Sequence, residues 1–248
     1  LFLFLFMVQS RLSYLMESVI FGIFLFFCLF IIEAEILTSY RIGVIISTIV
    51  IDYGMGNIAS VANIVRKVGG STEVSGSSER ILTASKLILP GVGSFDHGVN
   101  QLQTLGLFET IKELASRGTP ILGICLGMQL LSNGSEEGSL KGLSLIDAEF
   151  KRFSFDANAP LNIPHVGWNH VSVERENPLI PRDGSEQRFY FTHSYHAVCA
   201  HEDDILGTTE YGYSFTAAFR KNNIYGVQFH PEKSHRFGMA LIKRFLEL

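Results

Sequence analysis

Three short apolar runs constrain this chain more than any other feature. Ser47–Asp52 reads STIVID, Lys86–Pro90 reads KLILP and Pro120–Ile124 reads PILGI. All are strand-length, and helical segments separate them. Ile58, Val61, Ala62, Val65 and Val68 recur at helical spacing before Gly69-Gly70. Phe95–Gly118 has room for one or two helices, and LGMQLLSNGSEEG begins as another. Short apolar strands alternating with helices predict an α/β fold, with a mostly parallel central sheet flanked by helices. The second half differs. HVGWNHVSV, QRFYFTHSYHAVCA, SFTAAFRKN and IYGVQFH read as shorter, extra antiparallel strands, and a last helix is expected at Phe237–Leu248.

Hydropathy divides the chain near residue 46. LFLFLFMVQS and VIFGIFLFFCLFII resemble nothing downstream. The second run, Val19–Ile32, is short against the about 20 residues a bilayer span needs. Arg11 is the only base before it, and EAEIL is a poor cleavage site for a signal peptide. Residues 1–46 are therefore expected to be a hydrophobic extension outside the functional domain, with a membrane anchor as the competing reading. Residues 47–248 are expected to form one domain of about 200 residues. The net charge of −4 offers no basic footprint for nucleic acid. Cys28, Cys125 and Cys199 are too few and too scattered for a disulfide framework, which fits a reducing, cytoplasmic location.

VIDYGMGNIAS, Val50–Ser60, carries Gly54, Gly56 and Ala59 in the spacing of a dinucleotide fingerprint, with Glu73 downstream as a ribose-binding acid. That motif is weak alone. Stronger chemistry lies in GICLG, where Cys125 sits between Gly123 and Gly127 at a strand-to-helix junction. Such an elbow lifts a nucleophile off a sheet. The backbone N–H groups that follow, from Leu126 onward, favour a thiolate and hold an oxyanion. A small buried apolar cysteine is the plain alternative. QFHPE decides between them: His230 can take the thiol proton, and Glu232, two residues on along an extended backbone, can orient the imidazole. In LPGVGSF the turn after Pro90 offers the N–H of Val92 or Gly93 as a second oxyanion donor. His193, His196 and Cys199 suggest a metal, but residues three apart on one strand point to opposite faces, so no metal site is expected.

The order PGVG, GICLGMQ, SEEG, PHVGWN, FYFTHSYHAV and GVQFHPEKSHRFG resembles the class I glutamine amidotransferases. Within that family it is most similar to the branch of glutaminase subunits of imidazole glycerol phosphate synthase. The resemblance runs from Thr48 to Leu248 and implies a flavodoxin-like glutaminase fold with no cofactor. It also implies hydrolysis of L-glutamine through a thioester on Cys125. Ammonia would pass through a channel to a synthase (cyclase) barrel subunit, held as a heterodimer, for histidine biosynthesis. The same resemblance implies substrate contacts at Gly91, Gln129, Glu137, His193, Ser194 and Tyr195. It places Asn57, Trp168, Tyr190 and Lys233 toward the synthase, with core packing the alternative for the two aromatics. The DYGMGN loop then lies at the synthase face and binds no nucleotide.

Two alternatives remain open at this level. A paralogous branch carries the same triad and pocket but feeds ammonia to an amidotransferase of surface-polysaccharide sugars. A non-catalytic scaffold subunit is the other, and Cys125, His230 and Glu232 argue against it. Deletion of residues 1–45 is expected to leave a soluble subunit that still supports glutamine hydrolysis. Insolubility, or loss of activity from membranes that held the full chain, would identify the segment as an anchor.

Overall fold

The computed structural model describes residues 48–156 and 161–248, so the expectations for residues 1–46 lie outside the described residues. The three apolar runs are strands. The first half runs β1 (Thr48–Ile51), α1 (Ile58–Lys67), β2 (Thr72–Ser75), α2 (Ser78–Ile81), β3 (Lys86–Gly91), α3 (Phe95–Thr104), α4 (Leu107–Ser116), β4 (Ile121–Cys125) and α5 (Leu126–Leu131). Asn57 caps α1 by accepting from the Ser60 N–H, and Arg66 and Lys67 sit in its last turn, where the helix dipole favours cations. The Phe95–Gly118 segment is two helices, parted where Gly106 turns left-handed at φ 67°.

The second half runs β5 (Gly134–Ser135), β6 (Ala148–Arg152), β7 (His165–His170), β8 (Ser172–Val173), β9 (Arg188–His193), β10 (Tyr195–Cys199), β11 (Ile205–Tyr211), β12 (Tyr213–Lys221), β13 (Ile224–Val227) and α6 (His235–Leu246). Helix α6 begins two residues earlier than the sequence predicts. The order in the main sheet is β2-β1-β3-β4-β13-β12-β10-β6-β5. β2, β1, β3, β4 and β13 are mutually parallel, and β12 and β10 continue antiparallel. Five parallel strands in this order are the flavodoxin-like arrangement. IYGVQFH thus begins with the fifth parallel strand, not another small antiparallel one.

Both faces of this sheet are buried. Ile49, Ile51, Leu87 and Leu89 face one core with Val99, Leu102 and Ile111, while Val50, Ile88, Leu122 and Ile124 face the other with Val61, Val65, Ile242 and Phe245. The alternation along β1 and β3 is the period-two pleat serving two layers. Among the described residues no helix is long and apolar enough to cross a membrane.

β7 and β9 pair as a separate antiparallel ribbon, with His165 opposite His193 and Trp168 opposite Tyr190. Its inner face carries a chain of neutral rings. His193 Nδ1 donates to the Tyr195 carbonyl at 2.7 Å, so its Nε2 accepts from His165 Nδ1 at 3.1 Å. His165 Nε2 in turn accepts from Asn169 Nδ2 at 3.3 Å. Strand alternation does not keep His193 and His196 apart, contrary to the expectation from sequence. The chain changes strand at Ser194, so both rings meet the same side, packing at a tilt against Phe153 with centroids 5.2 and 4.8 Å away. His196 bonds Tyr213 Oη at 3.0 Å instead. Among the described residues no group of three His, Cys, Asp or Glu could hold a metal.

Burial pushes His193 down to about 3 and His165 down to about 4 from 6.5. Both rings are then neutral in the fold while the unfolded chain takes up protons below pH 6.5. Stability is fully present above that pH and falls as pH drops toward 4, by about 1.4 kcal/mol per pH unit for each ring. Urea unfolding between pH 7 and 4.5 is expected to show this decline, lessened in His165→Phe. A flat profile would contradict the neutral-ring assignment.

Candidate active site

The five parallel strands end at one edge of the sheet, and four of them lead into the residues singled out by the sequence. β1 runs into Asp52–Asn57, β3 into Val92 and Gly93, β4 ends on Cys125, and β13 leads through Gln228 to His230. Open α/β sheets bind ligands outside these carboxyl ends.

Cys125 is the last residue of β4 and the N-cap of α5, with φ 54° and ψ −108°. Such a backbone costs a non-glycine residue about 1–3 kcal/mol and marks functional sites. It is held by contact: a Cβ on Gly127 would stand 1.8 Å from the Leu89 carbonyl oxygen, and one on Gly123 would stand 2.7 Å from the Gly127 carbonyl carbon. Only glycines let the helix start fold back on β3 and β4. The register then sets Gly91 beside Cys125.

His230 and Glu232 meet as expected, by a different backbone route. His230 is extended, but Pro231–Lys233 is a 3-10 turn, and the turn brings Glu232 Oε1 to 2.8 Å from His230 Nδ1. The two side chains are 1% and 3% exposed, so the pair is shielded from solvent screening. Burial pulls the imidazole down, but the Cys125 thiol and the Glu232 carboxylate outweigh it and raise His230 to about 10. Nδ1 is committed to Glu232, which leaves Nε2 for the thiol and the substrate; Nε2 is buried and makes no hydrogen bond among the described residues.

Three residues that sequence reasoning passed over complete the surroundings. Gln228 is fully buried and points Nε2 at Cys125 Sγ, 3.8 Å away. A buried amide two residues before His230 on an otherwise apolar run was the available signal. Ser234 ties the His230–Lys233 turn to the ribbon: its Oγ accepts from the Tyr190 N–H at 3.0 Å and donates to the His230 carbonyl at 2.6 Å. The His230 N–H donates to the Tyr190 carbonyl. Tyr53, at the end of β1, donates from its hydroxyl to the Pro90 carbonyl at 2.8 Å.

The residues expected to bind substrate cluster around this edge. Gln129 is buried on α5, and its Oε1, like Gln228 Oε1, has no hydrogen-bond partner among the described residues. Glu137 is half-buried and accepts from the Phe95 N–H at 2.8 Å, just past the Gly91–Gly93 turn. His193 is buried, Ser194 sits between β9 and β10 with its carbonyl bonded to Phe153, and Tyr195 opens β10. In the turn Val92 is 51% exposed and Gly93 is at φ 130°, while Leu126 is buried at the start of α5. Trp168 and Tyr190 lie on the outer face of the ribbon, opposite the neutral rings. Trp168 is 37% exposed and stacks on His235, and Lys233 Nζ lies over the Tyr190 ring. Asn57 is exposed. Glu73 pairs with Arg80 at the surface.

Residues 49–248 match the family model described as glutamine amidotransferase class-I. The chain is 50% identical over 199 residues to "Imidazole glycerol phosphate synthase subunit HisH 2" of Methanococcus maripaludis, covering 80% of this chain and 98% of that protein. It is 48% identical to the subunit of the same name from Pseudomonas aeruginosa, covering 81% and 98%. Among solved structures, a putative GMP synthase component from Thermoplasma acidophilum matches with a TM-score of 0.61 and 20% identity, covering 82% of this chain and 92% of that one. A structure described only as a glutamine amidotransferase matches with a TM-score of 0.62 and 18% identity, covering 80% and 97%. These two share the fold. With the elbow cysteine, the His–Glu pair and the family match in agreement, the chain belongs to the class-I glutamine amidotransferases.

Proposed function

We propose that this chain is the glutaminase subunit of an imidazole glycerol phosphate synthase, hydrolysing glutamine and passing ammonia to a synthase subunit in histidine biosynthesis. The single observation that carries the chemistry is Cys125 at its left-handed elbow, faced by a buried His230–Glu232 pair. The near-complete coverage of relatives named for that subunit supports the choice of acceptor. A nucleophilic free thiol suits the cytoplasm, and the partner completes a heterodimer.

The steps follow from the geometry. Sγ of Cys125, its proton held by His230, attacks the side-chain amide carbon of glutamine. The carbonyl oxygen takes the negative charge and is met by the N–H of Leu126 and of Val92 or Gly93. His230 gives its Nε2 proton to the amide nitrogen, the C–N bond breaks, and ammonia leaves a γ-glutamyl thioester. Neutral His230 then takes a proton from water as the water oxygen attacks the thioester. Glutamate departs and the thiolate–imidazolium pair is restored. Glu232 holds the imidazole in one tautomer throughout. Gln129 and Glu137 anchor the amino-acid end, beside the backbone of His193–Tyr195. Gly91 lets the substrate approach the turn.

A glutaminase working alone would waste glutamine. The Pro90–Gly93 turn suits a switch, because rotation of the peptide at Val92 adds or removes an oxyanion donor worth about 3–4 kcal/mol, or roughly 100- to 1,000-fold in turnover. Trp168, Tyr190, Lys233 and Asn57 form the face that a docked synthase would press.

With the synthase subunit present, Cys125→Ala is expected to abolish glutamine-dependent synthesis and leave ammonia-dependent synthesis intact. His230→Ala should lower glutamine turnover by roughly 100- to 10,000-fold. Steady glutamine hydrolysis by Cys125→Ala would refute the assignment. Stimulation only by a surface-polysaccharide amidotransferase would move the acceptor and keep the triad. The lone subunit is expected to be nearly idle, and Gly93→Pro should blunt stimulation while partner binding persists. Full turnover without the partner would remove the switch.

A further inference from the structure

The loop Asp52–Asn57 contributes no group to the triad, yet it is built against the turn after β3. Tyr53 is fully buried, and its hydroxyl donates to the carbonyl of Pro90, the last residue before the turn's two glycines. Gly56, at φ 98°, lies so close that a Cβ there would stand 3.1 Å from both N and Cα of Gly91. The Met55 methyl fills the space beside Gly93, where a Cβ would stand 2.6 Å from it. A Cβ on Gly91 would meet the Tyr53 hydroxyl at 2.5 Å on one side and Leu126 Cβ at 2.8 Å on the other. The turn is therefore clamped between this loop and the nucleophile elbow.

We propose that Tyr53 is a positioning residue for the oxyanion turn, and that Asp52–Asn57 is the seat on which the turn rests. The hydrogen bond to Pro90 fixes the orientation of the 90–91 peptide. Beyond that anchor the Gly91–Val92 and Val92–Gly93 peptides are left as the parts that rotate. Met55 and Gly56 set where those peptides stop. Burial and the nearby Cys125 thiol raise the Tyr53 phenol well above its ordinary value, so it stays a donor throughout the working pH range. Because Asn57 at the loop's end is exposed, a displacement of the loop from outside reaches the turn through three residues. The inference rests on the glutaminase reading and adds to it the element that sets the oxyanion donor.

Tyr53→Phe keeps the ring and removes one hydrogen bond. In the complex with the synthase subunit it is expected to lower kcat for glutamine about tenfold with KM unchanged, since the lost contact matters only once the oxyanion forms. Glutamate γ-semialdehyde, which forms a tetrahedral thiohemiacetal on Cys125, should bind about tenfold more weakly, because it uses the same donors. Met55→Ala, which leaves every hydrogen bond in place, should show a smaller loss of the same kind. Unchanged kcat and unchanged aldehyde affinity in Tyr53→Phe would overturn the proposal. So would a fall in kcat with aldehyde affinity unmoved, which would mark a general loosening. A wild-type complex that fails to hydrolyse glutamine would overturn the glutaminase reading itself, and this inference with it.

Discussion

The approach of the Gly127 backbone to the Leu89 carbonyl is the contact on which the rest of the site depends. It lets α5 start directly at the end of β4, and so it forces Cys125 into its left-handed turn. The same contact draws β3 alongside, which brings Gly91 level with Cys125. The position of Cys125 and the position of the Gly91–Gly93 turn are therefore one quantity. A methyl group at residue 127 would separate the two strands or flatten the elbow.

Around that contact the sheet supplies the remaining groups by topology. β13 comes late in the chain, yet it inserts beside β4, so residues more than a hundred positions apart share one edge. The ribbon β7–β9 then closes over the His230–Lys233 turn. Tyr190 bonds the backbone of His230 and the hydroxyl of Ser234, and its ring lies on the outer face near Lys233. The face expected to meet a synthase and the backbone that holds His230, the proposed general base, are two sides of the same strand. This gives a short mechanical path between partner and chemistry, alongside the path through the Asp52–Asn57 loop.

Much of this was legible in the sequence, and the reasons are local. GICLG states its elbow because close approach and a sharp turn both demand glycine around the nucleophile. HPE states its pair because three consecutive residues keep His230 and Glu232 within reach whatever the backbone does; that is why the contact formed although the chain turns into a 3-10 helix there. What failed were inferences that needed a strand to continue. His193 and His196 were expected on opposite faces of one strand, but β9 ends at His193 and the faces reset at Ser194. IYGVQFH carried no mark of its parallel partner, since pairing is decided by packing across the sheet. Tyr53 and Ser234 act through single hydrogen bonds to distant backbone, which no spacing rule reports. Of the DYGMGN glycines, Gly56 did signal close backbone approach, and the partner is Gly91.

Cys125 and Glu232 raise His230 above the ordinary imidazole range, and the proposed protonation of departing ammonia turns on that charge. It can be read directly by NMR titration of the His230 ring in the folded chain, with the Cys125→Ala variant for comparison. The wild-type ring is expected to stay charged at pH 8 and titrate near 10, and to move to a markedly lower value once the thiol is gone. A wild-type ring already neutral at pH 7.5, or a titration that does not change when Cys125 is removed, would contradict this charge state.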